Sequence, residues 1–241
     1  MHTISFKSKR LQEVAPTTVA IHFRCLKAAF TRAVQFRIIK KSPFDGIKNI
    51  SIAYQEPAYL TLADLNAVLN QVENSQLKAI IIIAICTSMR LAEIINLRWL
   101  DNIDLERGFI HLKNRPDFVL KAKRGRSVPL NVTAMKVLSG LERRSDYVFA
   151  NTLGGKLRGE AVSKRFKEAA RAAGLSERVH FHSLRHSGIS LLVQMSVPLP
   201  FIQRIAGHSN IRVTSGYMHA AVNDLQESVM RLDHLFGQNN E

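Results

Sequence analysis

The stretch Thr87-Ser-Met-Arg-Leu-Ala-Glu-Ile-Ile-Asn-Leu-Arg-Trp99 continues from a strongly apolar segment that begins at Leu77. That segment is apolar around most of its circumference, which is typical of a helix at the centre of a hydrophobic core. Arg90 therefore stands directly after a buried helix. The renewed helical pattern from Arg90 to Leu97 puts Glu93 one turn away as an ion-pair partner. The sequence predicts a cation held at the edge of the core by a carboxylate.

Outward from this stretch, the pattern predicts a mostly helical fold with one small antiparallel β-sheet, of the α+β class. Thr61 to Asp64 has the form of a capping box that opens a helix. Between Phe109 and Leu130 three segments, FIHLK, DFVLK and SVPL, alternate in the manner of short strands. Further helices are predicted at about 133–143, 160–173, 183–195, 200–206 and 222–236.

The chain is predicted to contain one complete domain and a smaller helical piece before it. An amphipathic helix at about 17–40 is the main feature of residues 1–50, which are too few for a second full domain. Residues 51–57 lack a clear period and are interpreted as a linker. Residues 58–241 then form the main domain.

Charge is the first functional signal. The 241 residues include 34 Lys and Arg against 19 Asp and Glu, a net charge of +15. Such a surplus indicates a polyanionic partner, because each neutralised phosphate releases condensed counterions. The alternative is a ribosomal or merely basic soluble protein. Cys25 and Cys86 lie in apolar stretches and are interpreted as free buried thiols, and no membrane span or export signal is evident, so a cytoplasmic location is expected.

Four segments carry side chains suited to phosphoryl transfer. Arginine grips two phosphate oxygens at once, and a pair of arginines neutralises the charge that builds up on phosphorus. A tyrosine in a cationic setting can attack the phosphorus, a lysine can protonate the leaving oxygen, and a histidine can take up a proton. The segments are the stretch that contains Arg90, the basic run Leu120 to Leu130, the block His182-Ser-Leu-Arg185, and Gly207-His208 to Tyr217.

In order and spacing these segments resemble the tyrosine recombinase (phage integrase) family over roughly residues 58–225. The family's first block reads T-G-M-R-x-x-E-I-x-x-L-x-W, and its last block G-H-x-x-x-x-x-T-x-x-Y places the tyrosine nine residues after the histidine, as here. Ser88 stands where the family usually has glycine, and Ala206 where leucine usually precedes Gly-His. The resemblance implies the family's catalytic-domain fold and a partial helical core-binding (SAM-like) domain at 1–50.

The resemblance also implies a catalytic set and a reaction. Tyr217 would be the nucleophile, forming a 3′-phosphotyrosyl link to double-stranded DNA without metal or cofactor. Recombination would require a tetramer on two DNA sites. The apolar stripe from Val222 to Phe236 either packs in the core of its own subunit or, as the resemblance implies, docks on a neighbouring protomer. The implied catalytic residues are Arg90, Lys121, His182, Arg185, His208 and Tyr217.

Several of these residues have competing interpretations. Lys121 is distinguished only by its position eight residues before Pro129, and Lys123 is its main competitor. His182 and His186 are spaced like metal ligands on a helix, but the glutamate of an HExxH motif is replaced by Ser183. His180 and His186 are therefore interpreted as structural or phosphate-facing.

Three other functions compete with a recombinase. A catalytically idle DNA-binding remnant of an integrase would keep the fold without the reaction. An enzyme resembling type IB topoisomerases would share the tyrosine chemistry and act without partner sites. A helix-turn-helix regulator would bind DNA reversibly and would have no use for the Arg–His–Tyr set.

Overall fold

A computed structural model describes residues 2–51 and 56–217, in two compact units at Met1–Glu56 and Pro57–Glu241. The predicted helix at 222–236 lies outside the described residues. Within them, no helix has both the length and the apolar character needed to span a bilayer.

The first unit contains α1 (His2–Glu13) and α2 (Pro16–Gln35). Its small core is formed by Val19, Phe23 and Phe44, with Phe44 packed edge-on against Phe23 at 5.5 Å between ring centroids. The prediction that the second helix extends to residue 40 was wrong, because Arg37 adopts a left-handed backbone conformation with φ of 58°. The prediction of a buried Cys25 was also wrong, since this thiol is exposed.

The larger unit is mostly helical with a three-stranded antiparallel sheet, which confirms the predicted fold class. The helix predicted from Arg90 to Leu97 is a single turn. The elements are α3 (Leu62–Gln71), α4 (Ser75–Thr87), α5 (Leu91–Ile94), α6 (Trp99–Asn102), β1 (Ile103–Asp104), β2 (Phe109–Leu112), β3 (Arg126–Pro129), α7 (Val132–Ser139), α8 (Gly159–Ala172), α9 (Phe181–Gln194), α10 (Leu199–Ala206) and α11 (Ile211–Ser215).

Helix α4 lies at the centre of the main core, as its composition predicts. Seven of its residues are buried, and the helix packs against α7 and α9. The capping box at the start of α3 is also confirmed, because the Thr61 hydroxyl accepts from the backbone N–H of Asp64 while the Asp64 carboxylate accepts from that of Thr61. These contacts fix the two helices that lead to the Arg90 segment.

The sheet has the order β1-β2-β3, and β2 pairs with β3 so that Ile110 lies opposite Val128. The segment DFVLK is not a strand, contrary to the prediction. It belongs to the connection between β2 and β3, where the Asn114 side chain accepts from the backbone of Leu120 and donates to that of Lys123, both at 2.9 Å. The alternation of polar and apolar residues in DFVLK arises because this loop places the side chain of Leu120 in the core.

Candidate active site

Arg185 is held where α9 passes the C-terminal end of α4. A Cβ on Gly188 would lie 2.5 Å from the Ile85 carbonyl oxygen, so only glycine permits this approach of the two helices. Ser88 ends α4 in the left-handed conformation, with φ of 51°, and its carbonyl accepts a hydrogen bond from Arg185 Nη1 at 2.5 Å. The left-handed φ gives the physical reason why glycine suits position 88.

Glu93 binds two arginines at the edge of the core. Its carboxylate accepts two hydrogen bonds from the Arg126 guanidinium, at 3.0 and 2.8 Å, and one from Arg90 Nη1 at 3.2 Å. Burial raises the pKa of Glu93, but the hydrogen bonds and charges of Arg126 and Arg90 outweigh burial and hold the pKa below its ordinary value. The carboxylate is therefore ionised at neutral pH and fixes both cations.

The same arginines hold the turn that precedes His208. Arg126 Nε donates to the Ile205 carbonyl at 3.0 Å, and Arg90 Nη2 contacts the Gly207 carbonyl at 3.4 Å. Gly207 has φ of +68°, and a Cβ there would lie 2.7 Å from the Arg126 guanidinium carbon. Glycine is thus required at 207 both by the turn and by the arginine packed against it.

Tyr217 is buried beside a group of histidines. Its hydroxyl is hydrogen-bonded to His186 Nδ1 at 2.5 Å, and its ring stacks on His208 with 6.4 Å between centroids. His208 is itself fixed by a 2.9 Å hydrogen bond between its Nδ1 and the Thr214 hydroxyl. His182 lies edge-on to the His186 ring at 4.7 Å. The hydroxyl oxygen of Tyr217 therefore faces the imidazole of His186, and its ring lies against that of His208.

The histidines are neutral at pH 7. The pKa values of His182, His186 and His208 are each lowered to about 4, first by burial and also by the positive charge of Arg185, to which Arg90 adds at His182 and His208. A neutral imidazole has one ring nitrogen able to accept a proton. The cluster combines proton acceptors with arginines that remain charged.

Arg185 is the most buried of these cations, with 3% of its surface exposed. Burial and then the charge of Arg90 lower its pKa to about 10, so it stays protonated at neutral pH. Its Nη2 is buried and makes no hydrogen bond within the described residues. A buried guanidinium donor with spare capacity, within electrostatic range of Arg90 and Tyr217, is suited to an anionic oxygen.

Five of the six predicted residues thus lie in one connected cluster, namely Arg90, His182, Arg185, His208 and Tyr217. Lys121 is exposed in the connection between β2 and β3, and no ion pair or hydrogen bond of its side chain is found among the described residues. Lys123 is exposed in the same connection. Both lysines of the basic run therefore face solvent.

Sequence reasoning missed two members of the cluster, Arg126 and His186. Arg126 shares one face of β3 with the buried Val128, so the two-residue period of a strand marked it as the inward-facing arginine of a basic run. His186 lies one turn after His182 on α9, and its contact with Tyr217 joins residues 31 apart in the chain. No local sequence pattern predicts this contact between His186 and Tyr217.

Replacing the buried Glu93 by Gln is expected to lower the free energy of unfolding by about 3 kcal/mol, since it leaves the half-buried Arg90 and Arg126 without a counter-charge. Because the folded-state pKa lies below the ordinary value of 4.5, this stabilisation is present at neutral pH and is lost as the pH falls below about 4.5. Urea unfolding followed by the fluorescence of Trp99, the single tryptophan, measures the effect in the larger unit.

Glu142→Gln is the matched control for Glu93→Gln. Its carboxylate pairs with Arg144, and 69% of its side chain is exposed, so no measurable change in stability is expected. An equal response of the two variants would show that the Glu93 contacts do not stabilise the fold.

Comparisons with known proteins return one family. The model of the phage integrase family matches residues 58–224, a range that includes all six predicted residues. A tyrosine recombinase of Thermosipho africanus is 27% identical over 224 residues, which cover 90% of this chain and 76% of the relative. The integrase of Salmonella phage P22 is 29% identical over 241 residues, which cover 92% of this chain and 59% of the integrase.

The fold itself matches solved structures of the same kind. A lambda integrase tetramer bound to a Holliday junction superimposes with a TM-score of 0.72 at 19% identity, covering 86% of this chain and 63% of that chain. This likeness confirms the predicted catalytic-domain fold.

Proposed function

The chain belongs to the phage integrase family, and on that premise we propose that it cuts and rejoins double-stranded DNA through a covalent bond to Tyr217. The observation that carries the proposal is the buried Tyr217 hydroxyl, which is hydrogen-bonded to the neutral His186. Beside the effect of burial, Arg185 lowers the pKa of His186, and Arg185 and Arg90 lower the pKa of His208. This combination supplies a nucleophile, proton acceptors and phosphate-binding cations in one place.

In this proposal the scissile phosphate is gripped by Arg90 and Arg185. Arg185 has a buried Nη2 with spare hydrogen-bonding capacity, and Glu93 holds Arg90 in position. Two guanidinium groups placed before the reaction starts stabilise the charge that develops on the phosphate oxygens. Ser88 fixes the orientation of Arg185 through its carbonyl.

Tyr217 then attacks phosphorus. The bond from its Oη to phosphorus forms, the bond to the 5′-oxygen breaks, and the tyrosine remains joined to the 3′-phosphate. A histidine of the cluster takes the phenol proton; His182 is the residue implied by the family resemblance, while His208 hydrogen-bonds the phosphate. Lys121 protonates the departing 5′-oxygen. Attack by a 5′-hydroxyl reverses these steps and reseals the strand.

The proposal extends to assembly and location. Exchange of strands between two DNA sites requires that both be held together, and a tetramer on two sites, linked through the helix that the sequence predicts at 222–236, would provide this. The net charge of +15 favours DNA as the partner. We assign the protein to the cytoplasm, where such DNA is accessible.

A covalent trapping assay tests the proposal. The purified chain is incubated in EDTA with random-sequence DNA duplexes. Each duplex carries a nick near each potential cleavage point, so that cleavage releases a short fragment with a 5′-hydroxyl. Because this fragment is lost, the strand cannot be resealed and the covalent adduct is trapped. A protein–DNA band that survives denaturing electrophoresis and contains a phosphotyrosine at position 217 by mass spectrometry is the expected result. DNA binding without any covalent band would overturn the recombinase function and favour an idle DNA-binding remnant.

The lysine assignment makes a separate prediction. Lys121→Ala is expected to slow adduct formation about 10²-fold, because the 5′-oxygen leaves poorly without a proton. Replacing that bridging oxygen by sulfur should restore the rate, since a thiolate leaves without protonation. Single-turnover rates on the two substrates, with Lys123→Ala as the matched control, measure this. Rescue of Lys123→Ala instead would transfer the role to Lys123.

A further inference from the structure

We propose that His186, rather than His182, accepts the proton of Tyr217 during attack on DNA. The inference rests on the proposed function and assigns one step of it. The family pattern points to His182, whereas the hydrogen bond to the tyrosine oxygen is made by the next histidine on the same face of α9.

The contacts distinguish the three histidines. His186 Nδ1 lies 2.5 Å from the Tyr217 hydroxyl oxygen, a distance that suits direct proton transfer. His208 stacks on the tyrosine ring, and its own Nδ1 is engaged by Thr214. His182 packs edge-on against the His186 ring. His186 therefore contacts the reacting atom, and His182 is placed to orient His186.

The protonation state of His186 suits an acceptor. Its pKa is lowered to about 4, first by burial and also by the positive charge of Arg185, so the ring is neutral at pH 7. With the single ring proton on Nε2, the Nδ1 lone pair faces the tyrosine hydroxyl. A phosphodiester bound to Arg185 offsets the cationic charge and raises the pKa of His186 toward its ordinary range. Substrate binding thereby makes the ring a stronger base.

Protons and bonds are conserved in the proposed step. The Tyr217 Oη proton passes to His186 Nδ1 as the Oη–P bond forms and the P–O5′ bond breaks, and the 5′-oxygen receives its proton from Lys121. During religation the incoming 5′-hydroxyl gives its proton to Lys121. His186 then returns its proton to the departing Tyr217 oxygen, so the enzyme is regenerated unchanged.

The test compares His186→Asn with His186→Ala. Asparagine keeps a polar group near the position of Nδ1 without the basicity of imidazole, so it preserves positioning and removes proton acceptance. The DNA sequences found in wild-type adducts are first recovered and made as nicked duplexes. The single-turnover rate of adduct formation by each variant is then measured on these duplexes, with either oxygen or sulfur as the bridging atom at the 5′ position. DNA binding and thermal unfolding are measured on the same samples to establish that each variant is folded.

Both variants are expected to lose at least about 10²-fold in rate, on the oxygen and the sulfur substrate alike, because the defect lies on the side of the nucleophile. His182→Asn should lose less. Near-wild-type rates for His186→Asn, or a greater loss in His182→Asn, would overturn the assignment while leaving the recombinase function intact. Absence of any wild-type adduct would instead overturn the proposed function.

Discussion

Tyr217→Phe is expected to abolish the covalent protein–DNA adduct while leaving DNA affinity nearly unchanged. The substitution removes one oxygen atom, and with it the only group that the proposed reaction joins to phosphorus. The ring remains, so the stacking on His208 and the packing within the small core around Ile189 and Ile202 are retained. A phenyl ring has no nucleophilic atom, so the loss should reach the detection limit of the assay.

The measurement is a denaturing gel of nicked duplexes incubated with each protein, beside a gel-shift titration of the same DNA. Tyr147→Phe is the matched control: it removes a hydroxyl from a tyrosine that contacts Arg98, outside the cluster. The control should form adduct at the wild-type rate. An adduct that persists in Tyr217→Phe would show that another residue is the nucleophile.

The parts of the molecule that sequence predicts well are those set by local patterns. The uniform apolar character of α4 places it in the core, and the i, i+3 spacing of Arg90 and Glu93 puts their side chains in contact. The Thr61 capping box is likewise a matter of four consecutive residues. Such features depend on neighbours in the chain, which the sequence displays directly.

The parts that sequence misses depend on contacts between distant segments. Glu93 binds Arg126 across 33 residues, and Arg185 binds the Ser88 carbonyl across 97. The failed strand DFVLK has a more local cause: the Asn114 side chain accepts from the backbone of Leu120 six residues later, and the burial of Leu120 in the core keeps that segment a loop. The basic run therefore contains one arginine that joins the cluster and several residues that face solvent; the two-residue period of β3 distinguishes them, whereas the local composition does not.

Arg185→Lys is expected to lower the rate of adduct formation by about 10³-fold or more, with little effect on DNA affinity. An arginine that stabilises a phosphoryl transition state contributes on the order of 10³–10⁵ in rate. Here Nη1 is committed to the Ser88 carbonyl and Nη2 has spare capacity, so in the proposed complex one planar group would connect the end of α4 to the phosphate. A lysine ammonium keeps the charge but cannot reach both partners in that geometry.

Single-turnover rates of Arg185→Lys and Arg144→Lys measure this effect. Arg144 is exposed and pairs with Glu142, which is not part of the cluster, so its variant should react at the wild-type rate. Thermal unfolding identifies any loss of rate that is due to misfolding. A second test uses Arg185→Ala with added guanidinium ion, because a free guanidinium can occupy the space left by the truncated side chain. Recovery of the rate with guanidinium supports a direct role at the phosphate. Near-wild-type rates in a folded Arg185→Lys would show that charge alone suffices there, contrary to the two-donor role.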